Sequence, residues 1–304
     1  MAVSVAAIYD LTRPGLRGIE GKYEQIPTQW SKIFWQGKSN LGVERTAENR
    51  YLALAELKFE GGATAMDNNA GERFIYNHEH FEVGLGYAIT RKAIDDNLYE
   101  QEFPASNLGL HESFAQFKEI QAANVLNTAN VYNSAIGGDG VALCSASHPY
   151  DYGTWANTPA TAQLSLNEAS LLSAITQIRT QFRDQAGLKA FWRGRRLIVQ
   201  PQNEWVAARL WHTTLRPGTG DNDANALRAT GSLPDGYEVM DFLTSPYAWF
   251  VQTNYDGLLY LQRKEFEMSM WVDDITDNLL VKGYERYYVG YKNARCIWGT
   301  FPVS

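Results

Sequence analysis

Few residues in this chain are typed and spaced for chemistry, and each such group reads more simply as structure. His78, His80 and Glu82 stand two apart; on a strand, where side chains alternate, all three face one side and become potential metal ligands. No fourth ligand stands near them, so the trio reads as a polar strip on an exposed strand. The run ALCSASHPYD from Ala142 to Asp151 contains Cys144, Ser145, Ser147, His148 and Asp151, the residue types of a nucleophile and its base. Triad members come from separated segments and no G-x-S-x-G elbow is present, so His148, before Pro149, reads as a turn residue. Asp95 with Asp96, Asp221 with Asp223, and Asp273, Asp274 and Asp277 lack calcium-loop spacing and read as solvated turns or caps. Gly137–Gly140 (GGDG) and Pro217–Asp221 (PGTGD) lack the G-x-x-x-x-G-K-[ST] phosphate cradle and read as loops. Lys189, Arg193, Arg195 and Arg196, interleaved with Phe191 and Trp192, are a basic and aromatic patch of the kind that can hold a phosphate backbone; beside a strand at 197–199 they read as its decorated entrance. No catalytic, cofactor-binding or metal-binding residue is assigned, and this lack of convergence argues against an enzyme.

The elements that carry these residues are more informative. Tyr51, Ala53, Ala55, Leu57 and Phe59 alternate with Glu56, Lys58 and Glu60, which predicts a half-buried strand. Small and polar residues from Gly61 to Gly71 make a flexible tip, after which Ile75, Phe81, Val83, Leu85, Tyr87 and Ile89 resume strand character. Ten extended residues reach about 33 Å, further than a small core needs, and a lone two-stranded hairpin is marginal in water. The arm therefore rests on something else, plausibly another chain. Before it, residues 1–42 are interrupted by Pro and Gly and carry Tyr23, Trp30, Phe34 and Trp35. After it, Thr90 caps a short helix ending near Asn97. Apolar residues recur near a 3.6-residue period from Asn107 to Ser134, predicting a helix of about 28 residues and about 42 Å.

Residues 137–163 are loop-like and separate this part from an α/β block. There Ser165 and Glu168 form an expected capping box for a helix ending near Gly187, with Leu171, Leu172, Ile175, Ile178 and Phe182 on its apolar face. A strand at Arg196–Gln200, a helix at Asn203–His212 with Trp205, Val206 and Leu210 inside, and strands at Tyr237–Met240 and Tyr247–Gln252 follow. Leu258 to Trp298 holds two long alternating runs.

The chain has 304 residues, 45% hydrophobic and 20% charged, enough for one large or two interlocked domains. A mean hydropathy of -0.34 and the absence of an apolar run near 18 residues argue against a membrane protein. Its short apolar start has no basic n-region, so no signal peptide is expected. Cys144 and Cys296 are the two cysteines and read as buried free thiols. A net charge of -7 provides no overall basic field for nucleic acid. Nine Trp and seventeen Tyr supply interface area with a polar handle.

Taken in order, the segments Gly86–Tyr99 (GYAITRKAIDDNLY), Ala142–Pro149 (ALCSASHP), Leu166–Lys189 (LNEASLLSAITQIRTQFRDQAGLK), Arg195–Trp205 (RRLIVQPQNEW), Arg216–Ala229 (RPGTGDNDANALRA) and Glu285–Gly299 (ERYYVGYKNARCIWG) resemble the Mu-like major head subunit family of tailed bacteriophages. The resemblance implies an α+β Hong-Kong-97-type major capsid fold. Residues 1–42 would be the N-terminal arm and 43–90 the extended hairpin called the E-loop. Residues 91–160 would form the peripheral domain with its spine helix, 161–255 the axial domain, and 256–304 strands returning to the peripheral domain. It implies a structural protein without cofactors, assembling as hexamers and pentamers into an icosahedral shell around double-stranded DNA held without sequence-specific binding. Its place would be the virion capsid, assembled in the bacterial host cytoplasm and without membrane contact. An acidic chain suits a container, since a strongly cationic wall would hold DNA by counterion release and impede packing. Lys58 lies on the proposed E-loop without a cross-linking motif, so noncovalent assembly is expected. No long charged helical extension stands at the N-terminus, so a separate scaffolding protein is expected, with a portal. Two other readings remain: a cellular compartment shell of the encapsulin type, built on the same fold, and a β-rich carbohydrate-active protein using Trp and Tyr as sugar platforms.

Overall fold

The two long alternating runs late in the sequence pair with each other, and the rest of the molecule is arranged around that ladder. The computed structural model describes residues 27–96, 99–159, 163–215 and 224–301. Residues 1–26 of the expected arm, and the segment with Pro217, Asp221 and Asp223, lie outside the described residues. In chain order the elements are α1 (Trp30–Ile33), β1 (Trp35–Lys38), β2 (Val43–Arg50), β3 (Gly71–Glu79), β4 (Phe81–Ile89), α2 (Arg91–Asp95), α3 (Tyr99–Asn127), β5 (His148–Tyr150), β6 (Gly153–Trp155), α4 (Glu168–Gln181), β7 (Gly194–Val199), α5 (Glu204–His212), α6 (Ala226–Thr230), β8 (Tyr237–Val239), β9 (Trp249–Thr253), β10 (Leu258–Val272), β11 (Leu279–Tyr291) and β12 (Ile297–Thr300). The fold is α+β, as the resemblance implies.

The first sheet has the order β1-β10-β11-β4. β10 and β11 run antiparallel from Leu258↔Tyr291 to Val272↔Leu279, and β4 adds antiparallel to β11 from Phe81↔Tyr287 to Ile89↔Leu279. Leu258 to Leu261 are buried, whereas beyond Lys264 the strand alternates between half-buried and exposed. Alternation marks the half with one solvated face. The long helix α3 lies against β11 and β4. Phe114 meets Phe266 edge-on at 5.0 Å; a Cβ at Gly283 would come within 2.7 Å of the Phe266 ring and 3.0 Å of the Phe114 ring, so the pair needs a glycine beneath it. Beside it Lys118 forms a buried ion pair with Glu285 at 2.6 Å. Burial pushes the Glu285 carboxyl up, and the Lys118 charge pulls it part of the way back.

Glu119, the next residue on α3, closes the start of α1. Its two carboxylate oxygens accept the backbone N–H groups of Gln29 at 2.6 Å and Trp30 at 3.1 Å. A negative group satisfying donors at a helix start is favourable on both hydrogen-bond and dipole grounds. Helix α3 runs Tyr99–Asn127, earlier than the sequence reading of 107–134. At its end the Asn127 side chain donates to the carbonyl of Phe242 at 3.1 Å and accepts from the N–H of Thr244 at 2.9 Å, tying the last turn to the segment after β8.

The second sheet has the order β12-β9-β7-β8. Trp249, Phe250, Ile198, Val199 and Trp298 are fully buried within it, with the two tryptophan rings 5.0 Å apart. One continuous core joins both sheets. Helix α4 is capped by Asn167 rather than Ser165: Asn167 Oδ1 accepts from Ser170 N at 2.8 Å, and Ser170 Oγ accepts from Asn167 N at 3.0 Å. The box is present one turn position later because Asn167 has extended backbone and Glu168 already lies inside the helix. In α5, Ala207 and Leu210 face the core, whereas Trp205, expected inside, is 73% exposed. Both cysteines are buried free thiols, as the sequence reading held, and burial pushes both thiols up, away from reactivity.

Candidate functional site

The surface with the clearest unmet need is a hairpin. β2 and β3 pair antiparallel from Val43↔Glu79 to Arg50↔Gly71, with a bulge at Glu48/Asn49. The ladder stops at Arg50. Residues 51–60, expected as a strand, carry none, and the run to residue 70 is exposed. Leu57 is 93% exposed and Phe59 81% exposed, with Tyr51, Leu52, Leu54 and Met66 also exposed. The half-buried strand expected there does not form: none of the described residues covers the apolar side chains of the run, and pairing alone does not hold a strand in water. β4 is not the return strand of this hairpin, since the chain breaks at His80 and β4 joins the first sheet.

The root of the hairpin, in contrast, is locked. The buried Arg50 guanidinium donates to Asp151 at 2.5 Å, to Asp67 at 2.8 Å and to the Tyr51 carbonyl at 3.0 Å, and Arg73 also pairs with Asp151. Asp67 further accepts from the N–H groups of Ala53 at 2.7 Å and Asn69 at 2.9 Å. Arg50 first, then these amides, holds its carboxyl down at about 2. One arginine thus joins the outgoing strand, the returning tip and the loop between β5 and β6. Deeper, Glu48 pairs with Arg295 in a site where both are buried. Gln185 Nε2 donates to Glu48 at 2.7 Å, Arg295 Nε donates to the Arg183 carbonyl at 2.5 Å, and the Arg295 guanidinium stacks 5.1 Å over the Trp155 ring. No pattern announces these partners, which come from segments 137 and 247 positions apart.

Gly137 and Gly138, read as a plain loop, have a specific task. Gly138 N donates to the Ile75 carbonyl at 2.9 Å and Asn77 N to that of Ile136 at 2.8 Å. At Gly138, with φ +90, a Cβ would fall 2.3 Å from the buried Tyr76 ring. Gly138→Ala combines a forbidden contact with backbone strain and is expected to destabilise the subunit by about 2–4 kcal/mol, measured by urea denaturation.

His78, His80 and Glu82 are not brought together. His78 is fully buried, with Nε2 at 2.7 Å from Thr46 Oγ1 and its ring 4.8 Å from that of Tyr288. His80 contacts the Gly42 carbonyl through Nδ1 at 3.2 Å, and exposed Glu82 pairs with Arg286 at 3.2 Å. The two histidines are therefore interior while Glu82 is not: His78 continues the buried face of β3 that Tyr76 begins, and His80 is buried just past the strand's end. Among the described residues no three His, Cys, Asp or Glu side chains are placed to hold a metal ion.

Burial lowers the His78 ring from 6.5 to about 4, and lowers those of His80 and His111 as well. The unfolded chain thus takes up these protons at a higher pH than the folded one, so stability is full above about pH 6.5 and falls as pH drops toward 4. His78 alone is expected to cost roughly 3 kcal/mol by pH 4. Denaturation midpoints of unassembled subunits should fall between pH 7 and 4, and fall less in His78→Gln. Asp67 does not share this window, because its carboxylate stays charged down to about pH 2.

The other chemistry-bearing groups are struts. His148 contacts Asp139 through Nδ1 at 2.6 Å and the Asn157 side-chain oxygen through Nε2 at 3.0 Å. Asn157 Nδ2 donates to the carbonyls of Leu143, Ala294 and Ile297 at 2.7, 3.1 and 3.1 Å. Ser145 and Ser147 pair with each other at 3.4 Å, away from that histidine. His148 is thus a buried core residue stacked on Trp155 rather than a turn residue, with no nucleophile on it. Asp95 pairs with Arg91 at 3.2 Å, and Asp273 accepts from Thr276 at 2.5 Å in the β10–β11 turn. At the entrance to β7, Arg195 and Arg196 both reach Asp235, at 2.6 and 3.3 Å.

The hairpin thus combines a locked root with an apolar tip that no described residue covers. A family model described as phage capsid protein matches residues 82–298. No curated protein matches the chain in sequence. Among solved structures, the virus-like particle from Pyrococcus furiosus is similar at 9% identity, covering 94% of this chain and 97% of that chain with a TM-score of 0.58. The capsid of an empty GTA particle is similar at 12% identity, covering 91% and 90%, with a TM-score of 0.57. The bacteriophage JBD30 capsid is similar at 9% identity, covering 91% and 66%, with a TM-score of 0.51. At these identities the likeness is one of fold.

Proposed function

This chain belongs to the phage capsid protein family, and from that premise we propose that copies of it associate as hexamers and pentamers into an icosahedral shell enclosing double-stranded DNA, each copy laying residues 51–70 over a neighbour. The observation that carries this reading is the contrast between the two ends of the hairpin, a root fixed by Arg50 and Glu48 and a tip exposing Leu57 and Phe59. Exposed apolar groups on one well-anchored element mark an interaction site. Many modest contacts per copy add into a stable shell even when each is weak.

Within this reading, residues 1–42 are the N-terminal arm and 43–90 the E-loop with its return strand. Residues 91–160 and 256–304 form the peripheral domain around α3, and 161–255 the axial domain. The sheet membership of β10 and β11 against that of β7, β8 and β9 supports separating 161–255 from β10 and β11, while β12 returns to the second sheet. The ordered segments from Gly86 to Gly299 favour the Mu-like branch, with a separate scaffolding protein, a portal, and noncovalent assembly in the cytoplasm of a bacterial host. The subunit's role is mechanical rather than catalytic, and no helix among the described residues is long and apolar enough to cross a membrane. The likeness to the Pyrococcus particle keeps a cellular cargo shell as the second reading; the family match favours the phage.

Electron microscopy of the full-length chain expressed with its scaffolding protein tests the proposal, with closed particles expected. A monodisperse monomer at high concentration would overturn it. Uniform shells from this chain alone would remove the scaffolding protein from the account, a covalent ladder in denaturing gels the noncovalent assembly, and particles filled with protein cargo instead of DNA the phage assignment.

A further inference from the structure

Beside β7 and α6 the molecule carries a cationic groove. Two hollows of about 530 Å³ and about 300 Å³ share Gly231 and Pro234 and so run together. Arg179 from α4, with Arg193 and Arg195 at the start of β7, lines the larger, and Arg228 from α6, with Trp211 from α5, lines the smaller. Their charges are unevenly matched. Arg195 is paired with Asp235 at 2.6 Å and Asp256 at 3.4 Å. Among the described residues, Arg228 is seen donating to a carbonyl, that of His212 at 2.5 Å. Among the described residues, Arg179 and Arg193 form no ion pair. On a chain of net charge -7, three guanidinium groups without a carboxylate partner among the described residues, along one groove, are a local inversion of sign.

Phe191 stands beside this groove in a strained position. Its φ is +20 and its ring is 89% exposed. Its carbonyl accepts from Asn254 Nδ2 at 3.4 Å, and Asn254 Oδ1 accepts from Arg193 N at 3.0 Å, with Asn254 itself lining the larger hollow. A non-glycine residue in such backbone is strained.

We infer that this groove binds an extended acidic polypeptide segment of a partner protein, its carboxylates on Arg179, Arg193 and Arg228 and its apolar side chains against Trp211 and Phe191. Guanidinium forks match carboxylates in geometry and make charge-assisted bonds. Charge complementarity favours a polypeptide over nucleic acid: Asp235 and Asp256 stand among the arginines, where a backbone charged at every phosphate meets repulsion but a peptide can place a neutral residue.

The test uses the full-length chain and a short labelled peptide alternating Glu with Leu, with binding read by fluorescence anisotropy. Saturable binding that weakens as salt is raised is expected, and the exposed double replacement Arg179→Gln with Arg193→Gln should lower affinity at least about tenfold. Lys92→Gln, a charge removed from α2, should leave affinity unchanged. No binding at low salt, or equal binding to the double variant, overturns the inference. So does a DNA oligonucleotide that displaces the peptide and depends on the same arginines, since it would reassign the groove to phosphate.

Discussion

Replacing Leu57 and Phe59 together by Asp is expected to abolish closed shells while leaving the subunit folded. Both side chains stand almost fully in solvent in the isolated chain, at 93% and 81% exposure, so surface substitution there changes subunit stability by no more than about 0.5 kcal/mol. Covering them on a neighbour gains roughly 1.5–3 kcal/mol each, and burying two carboxylates instead adds a desolvation cost. Every intersubunit contact carries the loss, so it multiplies around the shell. Sedimentation should find free capsomers or monomers with an unchanged melting midpoint. Shells at wild-type yield would show that the hairpin tip does not hold the neighbour.

Breaking the buried pair at the hairpin root should do the reverse, harming the subunit itself. Arg295→Met leaves the Glu48 carboxylate buried with only Gln185 as partner, 2.7 Å away, and is expected to cost about 3–5 kcal/mol. Glu48→Leu strands the guanidinium in the same way. The double replacement should recover much of that loss, because two apolar groups leave no buried charge unmatched. Urea denaturation of the four proteins measures the coupling, and limited proteolysis of residues 51–70 reports whether the tip has come loose. If Arg295→Met costs less than about 1 kcal/mol, the pair does not root the hairpin.

Local pattern alone carried much of the architecture. The alternation from Leu258 to Trp298 gives β10 and β11, Thr90 caps α2 through its hydroxyl, and the spacing of Leu171, Ile175 and Ile178 gives α4. Where the sequence reading slipped, a competing local signal was present. The helix expected over 107–134 runs Tyr99–Asn127 instead, through Pro104 and Gly109. Asn167 outcompeted Ser165 as a cap, and Trp205 faces outward because Ala207 and Leu210 already fill the buried face of α5.

The site was legible in one half only. The apolar residues of 51–60 were visible as a pattern in search of a partner, but the half-buried strand expected from it does not form. The anchors were not visible. Arg50, Asp67 and Asp151, or Glu48, Gln185 and Arg295, are ordinary polar residues far apart in the chain, and only the fold makes them neighbours.

By itself, then, the sequence determined the element types, the acidic character, the ordered family segments and the existence of an arm with more apolar surface than its own core uses. These follow from composition and short-range periodicity, which act over a few residues whatever the chain does elsewhere. Only the tertiary structure decided where the arm stops being a ladder, that His78 and His80 face inward, that His148 is a strut, and that Arg179, Arg193 and Arg228 share one groove. Each of those depends on contacts between distant segments, whose energy is set by burial and the pairing of charge, and neither is written in the spacing of residues along the chain.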